Sequence, residues 1–179
     1  LGSSSVWEGD FRPVSVGTAQ GPRLRNDFGG GVTQNKVLLD PSQAFVLQWS
    51  DPPQQAVSDY DLILIDSSQR MSVSNSSQTG TQPPNEFIDS RFIDHTNALL
   101  IIQRNSGSDR FLRLQAFDDG VLQAGTVGAP FGHKGLPAVI AVGAADATML
   151  TTRVEPFSSD GPRRIFFRPD GSALTPGNF

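Results

Sequence analysis

Apolar and polar residues alternate with a period of two through much of the first 117 positions, the pattern of strands with one face buried and one wet. In Ala44-Phe-Val-Leu-Gln-Trp49, Phe45, Leu47 and Trp49 fall on one face. Arg110-Phe-Leu-Arg-Leu-Gln-Ala-Phe117 alternates in the same way. Two other stretches, Tyr60-Asp-Leu-Ile-Leu-Ile-Asp66 and Ala98-Leu-Leu-Ile-Ile-Gln-Arg104, are apolar on both sides in their middles, so they predict well-buried strands. Shorter strands are predicted at 36–39, 71–73, 86–88 and 91–93. Asp40-Pro-Ser-Gln43, Asp51-Pro-Pro53, Asn105-Ser-Gly107 and Asp118-Asp-Gly120 supply the turns between them. Trp7 and Phe11 bracket a predicted turn, and Gly29-Gly-Gly31 a loop or bulge. Six or seven short strands with turn residues every 8 to 15 positions predict a mainly β fold, an antiparallel β-sandwich of jelly-roll type. No amphipathic helix is expected before residue 125.

Beyond residue 125 the character changes. Leu136-Pro-Ala-Val-Ile-Ala-Val-Gly-Ala144 is an unbroken run of small and β-branched residues, the pattern of a strand covered on both faces inside a parallel sheet. Parallel neighbours for it are missing from the last fifty residues. Arg164 to Leu174 predicts a hairpin turning at Pro169-Asp170-Gly171. Three stretches follow from this: an entry segment over 1–34, the sandwich over 35–128, and a fragment of a different, α/β layer over 129–179.

Composition narrows the function classes. With 14 Lys and Arg against 18 Asp and Glu the net charge is −4, which argues against a nucleic-acid partner. There is no Cys, so disulfides and thiolate metal sites are excluded. No run reaches about eighteen apolar residues, the length a membrane helix needs.

The segment Gly132-His-Lys-Gly-Leu-Pro-Ala-Val-Ile-Ala-Val-Gly-Ala-Ala-Asp146, followed by Phe157-Ser-Ser-Asp-Gly-Pro162, resembles the subtilisin-like serine peptidases, or subtilases. In that family a Pro-x-Val-Ile-x-Val-Gly-Ala strand lies in the central parallel sheet, and a Phe-Ser-Ser-x-Gly segment follows it. The preceding region is similar to the β-sandwich, of pre-peptidase C-terminal type, that some bacterial subtilases carry as an insert. The resemblance implies a non-catalytic internal region of a secreted or periplasmic serine endopeptidase, one that limits access to the cleft or recruits protein substrate. Its partners would be the rest of the peptidase and a protein or peptide substrate. The family's catalytic motifs are not in this sequence: Asp-Ser/Thr-Gly, His-Gly-Thr and Gly-Thr-Ser are all lacking, and the Gly-Thr pairs at 17, 80 and 125 continue with Ala, Gln and Val. The chain is therefore expected to be inactive by itself, and its tail from Phe131 to pack abnormally, to be disordered, or to pair with a second copy as a strand-swapped homodimer.

Candidate site residues are few. On the resemblance, Gly132 and His133 would help to floor the primary specificity pocket; the alternative is a surface loop. His95 has no evident nucleophile beside it, and Ser158 and Ser159 lie outside any Gly-x-Ser-x-Gly elbow. Asp59 and Asp61, spaced i, i+2, would share one side of a strand start and, with Asp51 or Asp66, would offer Ca²⁺ the hard oxygen ligands it takes; the alternative is turn-capping carboxylates. Apart from that cation, no cofactor is expected. Phe45, Trp49 and Tyr60 are core residues first and a sugar-stacking surface only second. The runner-up function is accordingly a non-enzymatic binding module for calcium, glycan or protein.

Overall fold

A computed structural model describes residues 5–39, 44–89, 97–117, 120–127, 140, 142–148, 164–168 and 170–174. Among the described residues the fold is mainly β, with antiparallel sheets and no helix. In the first sheet, β1 (Val6–Asp10), β10 (Phe111–Ala116), β5 (Ala44–Trp49) and β8 (Asn85–Asp89) lie side by side. The second is built on β9 (Leu99–Ser106), which pairs along one side with β6 (Asp59–Ile65). On its other side β9 pairs at one end with β3 (Gly21–Asn26) and at the other with β4 (Asn35–Leu39). β2 (Pro13–Thr18), β7 (Met71–Ser74) and β11 (Val121–Leu122) complete this sheet at its margins.

The alternation read in β5 decides which way the sheets face. Phe45, Leu47 and Trp49 are buried, and opposite them in the first sheet Leu112 and Leu114 point the same way. Tyr60, Leu62, Leu64, Leu100 and Ile102 meet them from the second sheet and close one core. Full burial of each such side chain contributes roughly 1.5–3 kcal/mol. Tyr60 is the polar exception. Its ring lies 5.3 Å from Trp49 and 5.2 Å edge-on to Phe11, while its hydroxyl donates to the Ser108 carbonyl at 2.9 Å and accepts from Arg110 N–H at 3.0 Å. Burial pushes this phenol up to about 12, against the opposing hydrogen bond from Arg110.

Several elements differ from expectation. Trp7 lies inside strand β1 rather than beside a turn, held by five paired positions with β10. Residues 13–26, within the expected entry segment, form the β2–β3 hairpin of the second sheet. That hairpin is half exposed along both arms, so it carries no strong apolar period. β11, at two residues, is too short to show a period at all. The strand candidate at 91–93 lies outside the described residues.

The covered strand expected at 138–144 is not found in its described residues. Ile140 and residues 142–144 belong to no strand, and Ile140 and Val142 leave 90% and 85% of their surface exposed. The named sheets pair antiparallel throughout, so they offer no parallel neighbour. No α/β layer appears among the described residues. The hairpin at 164–174 does form. Phe167 bridges Ala173, Arg168 N–H bonds the Ser172 carbonyl at 2.8 Å, and Gly171 takes the positive φ of 82° that its turn requires.

Candidate functional site

The expected carboxylates do not act together. Asp51 is buried and fully engaged: its Oδ2 accepts from the Trp49 indole at 3.2 Å, Val57 N–H at 3.0 Å and Ser58 N–H at 2.7 Å. Its Oδ1 lies 2.6 Å from Arg110 Nε. Asp66 closes the β6–β7 turn, accepting from Ser68 N–H, Arg70 N–H and the Arg70 guanidinium. These bonds, led by that from Arg70 N–H, hold its carboxyl below the usual range. Both are turn-organising groups, the alternative to metal binding.

Asp59 and Asp61 do come close, at the start of β6. Asp61 is only 7% exposed, and its two oxygens accept from Asn105 Nδ2 at 2.6 Å and Gln103 Nε2 at 3.2 Å. Asp59 accepts from Gln78 N–H at 3.4 Å, and Gln78 Nε2 in turn donates to the buried Glu86 at 2.8 Å. Burial, and after it the charges of Asp59 and Glu86, push Asp61 up to about 6, against the bonds from Asn105 and Gln103. Among the described residues no three carboxylate or imidazole groups converge as a metal would need. Gly132, His133, His95, Ser158 and Ser159 all lie outside the described residues.

A groove that the sequence did not point to lies over the first sheet. Glu8, Arg113, Gln48 and Asn85 stand opposite one another on four adjacent strands. They occupy the face turned away from the core, because Leu47 and Leu114, one position along, point into it. Glu8 and Arg113 form an ion pair, and Arg113 is only 5% exposed. Above this polar row sits the 164–174 hairpin. Phe166 packs on Phe111 with ring centroids 5.1 Å apart, and the Arg164 guanidinium lies 4.9 Å over the same ring. Between hairpin and sheet is a cavity of about 340 Å³, which Pro53, Pro83 and Pro84 close from the loop side. Gln48 and Arg113 are each the polar position in an alternating strand, whereas Glu8 and Asn85 lie in strands without a clean alternation. The pairing of the row across strands could not be anticipated, because it depends on register.

The chain was compared with family models, curated proteins and solved structures, and none matches it.

Proposed function

We propose that this chain is a non-catalytic region of a secreted or periplasmic subtilisin-like serine endopeptidase. In it, a β-sandwich beside the catalytic domain governs access or recruits protein substrate. The observation that carries the reading is the paired motif, Pro137-Ala-Val-Ile-Ala-Val-Gly-Ala144 and Phe157-Ser-Ser-Asp-Gly161. The exposure of Ile140 and Val142 supports it, since β-branched side chains in such a run fit a sheet interior that these residues do not have here. In the complete enzyme, Ser would attack the peptide carbonyl, His would take its proton and Asp would orient that His, all from outside this sequence.

The test begins with the coding sequence contiguous with residues 1 and 179. It should encode an Asp and a His motif upstream and Gly-Thr-Ser downstream, and the joined polypeptide should hydrolyse casein. Deleting residues 5–127 should raise KM for casein and leave hydrolysis of a tripeptide anilide unchanged. Flanks without those motifs would overturn the proposal.

The groove over the first sheet favours a second reading, a binding module with no peptidase attached. The two readings part on the flanking sequence alone.

A further inference from the structure

We infer that the outer edge of β2 receives an extended acidic segment of another polypeptide as an added strand, whichever reading of the larger protein holds. Among the described residues β2 lies at a margin of the second sheet and pairs with β3 alone. The register fixes which of its backbone groups stay open. Asp27 N–H bonds the Arg12 carbonyl at 2.8 Å, and bonded and unbonded pairs alternate along an antiparallel ladder. Val14 with Arg25, Val16 with Arg23 and Thr18 with Gly21 are therefore the bonded pairs. Pro13 and Pro22, which have no N–H to give, fall at unbonded positions, as this parity requires. Ser15 and Gly17 then turn N–H and C=O away from β3, and both residues are exposed. Two other sheet edges are already engaged: Thr126 bonds Val6 and Glu8 of β1, and Ser74 Oγ takes the Phe87 N–H of β8. Edge strands are commonly guarded by charge, proline or a bulge, whereas β2 carries no charged residue and has proline only at its first position.

Charge selects the occupant. Residues 11–26 carry Arg12, Arg23 and Arg25 and no Asp or Glu, within a chain of net charge −4. Arg23 and Arg25 stand opposite Val16 and Val14 and so share their side of the hairpin. Among the described residues none of the three guanidinium groups has an ion pair or a hydrogen bond, and Arg25 Nε is buried without one. Their donors are therefore open to a carboxylate. A strand added antiparallel to β2 sets alternate residues beside Val14 and Val16, on the arginine side. With strands about 4.8 Å apart, Glu at those positions starts about 10 Å from Arg23 and Arg25, a gap that two long side chains close over the shorter valines between. The intervening residues lie beside Ser15 and Gly17 and exchange the backbone bonds. Backbone pairing supplies affinity, and carboxylates at every second position supply selection.

The experiment is an NMR titration of the full 179-residue chain with an alternating Glu-Thr decapeptide, followed through the backbone amides of the chain. The peptide should bind with a Kd under about 1 mM and shift Ser15 and Gly17 most. Methylating its Thr amide nitrogens keeps every charge and removes the pairing donors, and should weaken binding about ten-fold or more, as should replacing Glu by Lys. Gly17→Pro removes an outward N–H at an edge position, where proline is tolerated, and Arg23→Glu reverses an exposed charge; each should weaken binding about ten-fold or more. Arg168→Glu, the same reversal on the 164–174 hairpin, should leave it unchanged. Arg23→Glu and the methylated peptide keep the test valid should Gly17→Pro disturb the β2–β3 hairpin. The inference is overturned if a chain that melts cooperatively shows no shift at Ser15 and Gly17 with about 10 mM peptide, or if the methylated peptide binds as well as its parent. It is equally overturned if anionic phospholipid vesicles bind through Arg23 and the peptide does not.

Discussion

β9 and the run at 138–144 are two apolar stretches of similar composition, and the described residues of the second do not share the first one's fate. β9 carries Leu99-Leu-Ile-Ile102, pairs with β6 along one side and with β3 and β4 along the other, and buries Leu100, Ile101 and Ile102 completely. In the second run, Ile140 and Val142 stand exposed and outside any strand. Apolar content makes a segment suitable for burial, but its neighbours decide whether it becomes a strand. β9 has three, all reachable by antiparallel connections within this chain. A run suited to a parallel sheet needs βαβ neighbours, and the described residues contain no helix to make that crossover.

Substitutions in the two runs sharpen the contrast. Ile102→Ala removes a fully buried side chain between the sheets and should cost about 2–5 kcal/mol in urea unfolding. Gly107→Ala should come next, at roughly 1–3 kcal/mol. The residue leaves β9 at a φ of 82°, and an added Cβ would lie 2.5 Å from the Ser58 Cα, where backbone must shift.

The pH dependence probes the same strand, because Gln103 of β9 donates to Asp61. Burial pushes the folded Asp61 carboxyl up to about 6, above the usual carboxylate range. The folded state therefore holds this proton more tightly. Stability from the group is complete below the unfolded value and is lost as pH rises to about 6, on the order of 1 kcal/mol. Melts across that range should show the decline, and Asp61→Asn should flatten it. Millimolar Ca²⁺ should leave the melting temperature unchanged, because amide donors already occupy both Asp61 oxygens. Ile140→Ala should have the smallest effect, within about 0.5 kcal/mol.

Much of the sandwich was legible before its structure. β5 and β10 announced their faces by strict alternation, and β6 and β9 their central burial by being apolar on both sides. β2 and β3 were not legible, because their stability comes from backbone pairing with each other and with β9 rather than from a buried face. β1 was hidden by Glu8 and Asp10, polar residues that face outward from a strand whose Trp7 faces in. The groove was legible only as parts. Gln48 is visibly the polar position between Leu47 and Trp49, but its place beside Arg113 and Asn85 comes from a register that local sequence does not encode. The carboxylates show the reverse. Asp51 and Asp66 looked available for a cation, and their environment instead turned them into organisers of the loops that follow β5 and β6.

The proposed function rests on the 138–144 run being shaped for sheet neighbours that the described residues do not supply. Amide hydrogen exchange tests it most directly, by comparing Ile140 and Val142 with Leu100 and Ile102 in the same sample. The account predicts slow exchange at Leu100 and Ile102, fast exchange at Ile140 and Val142, and protection of the latter pair once the chain is joined to its contiguous coding sequence. Exchange at Ile140 and Val142 as slow as that of β9, in this chain alone and as a monomer, would contradict it.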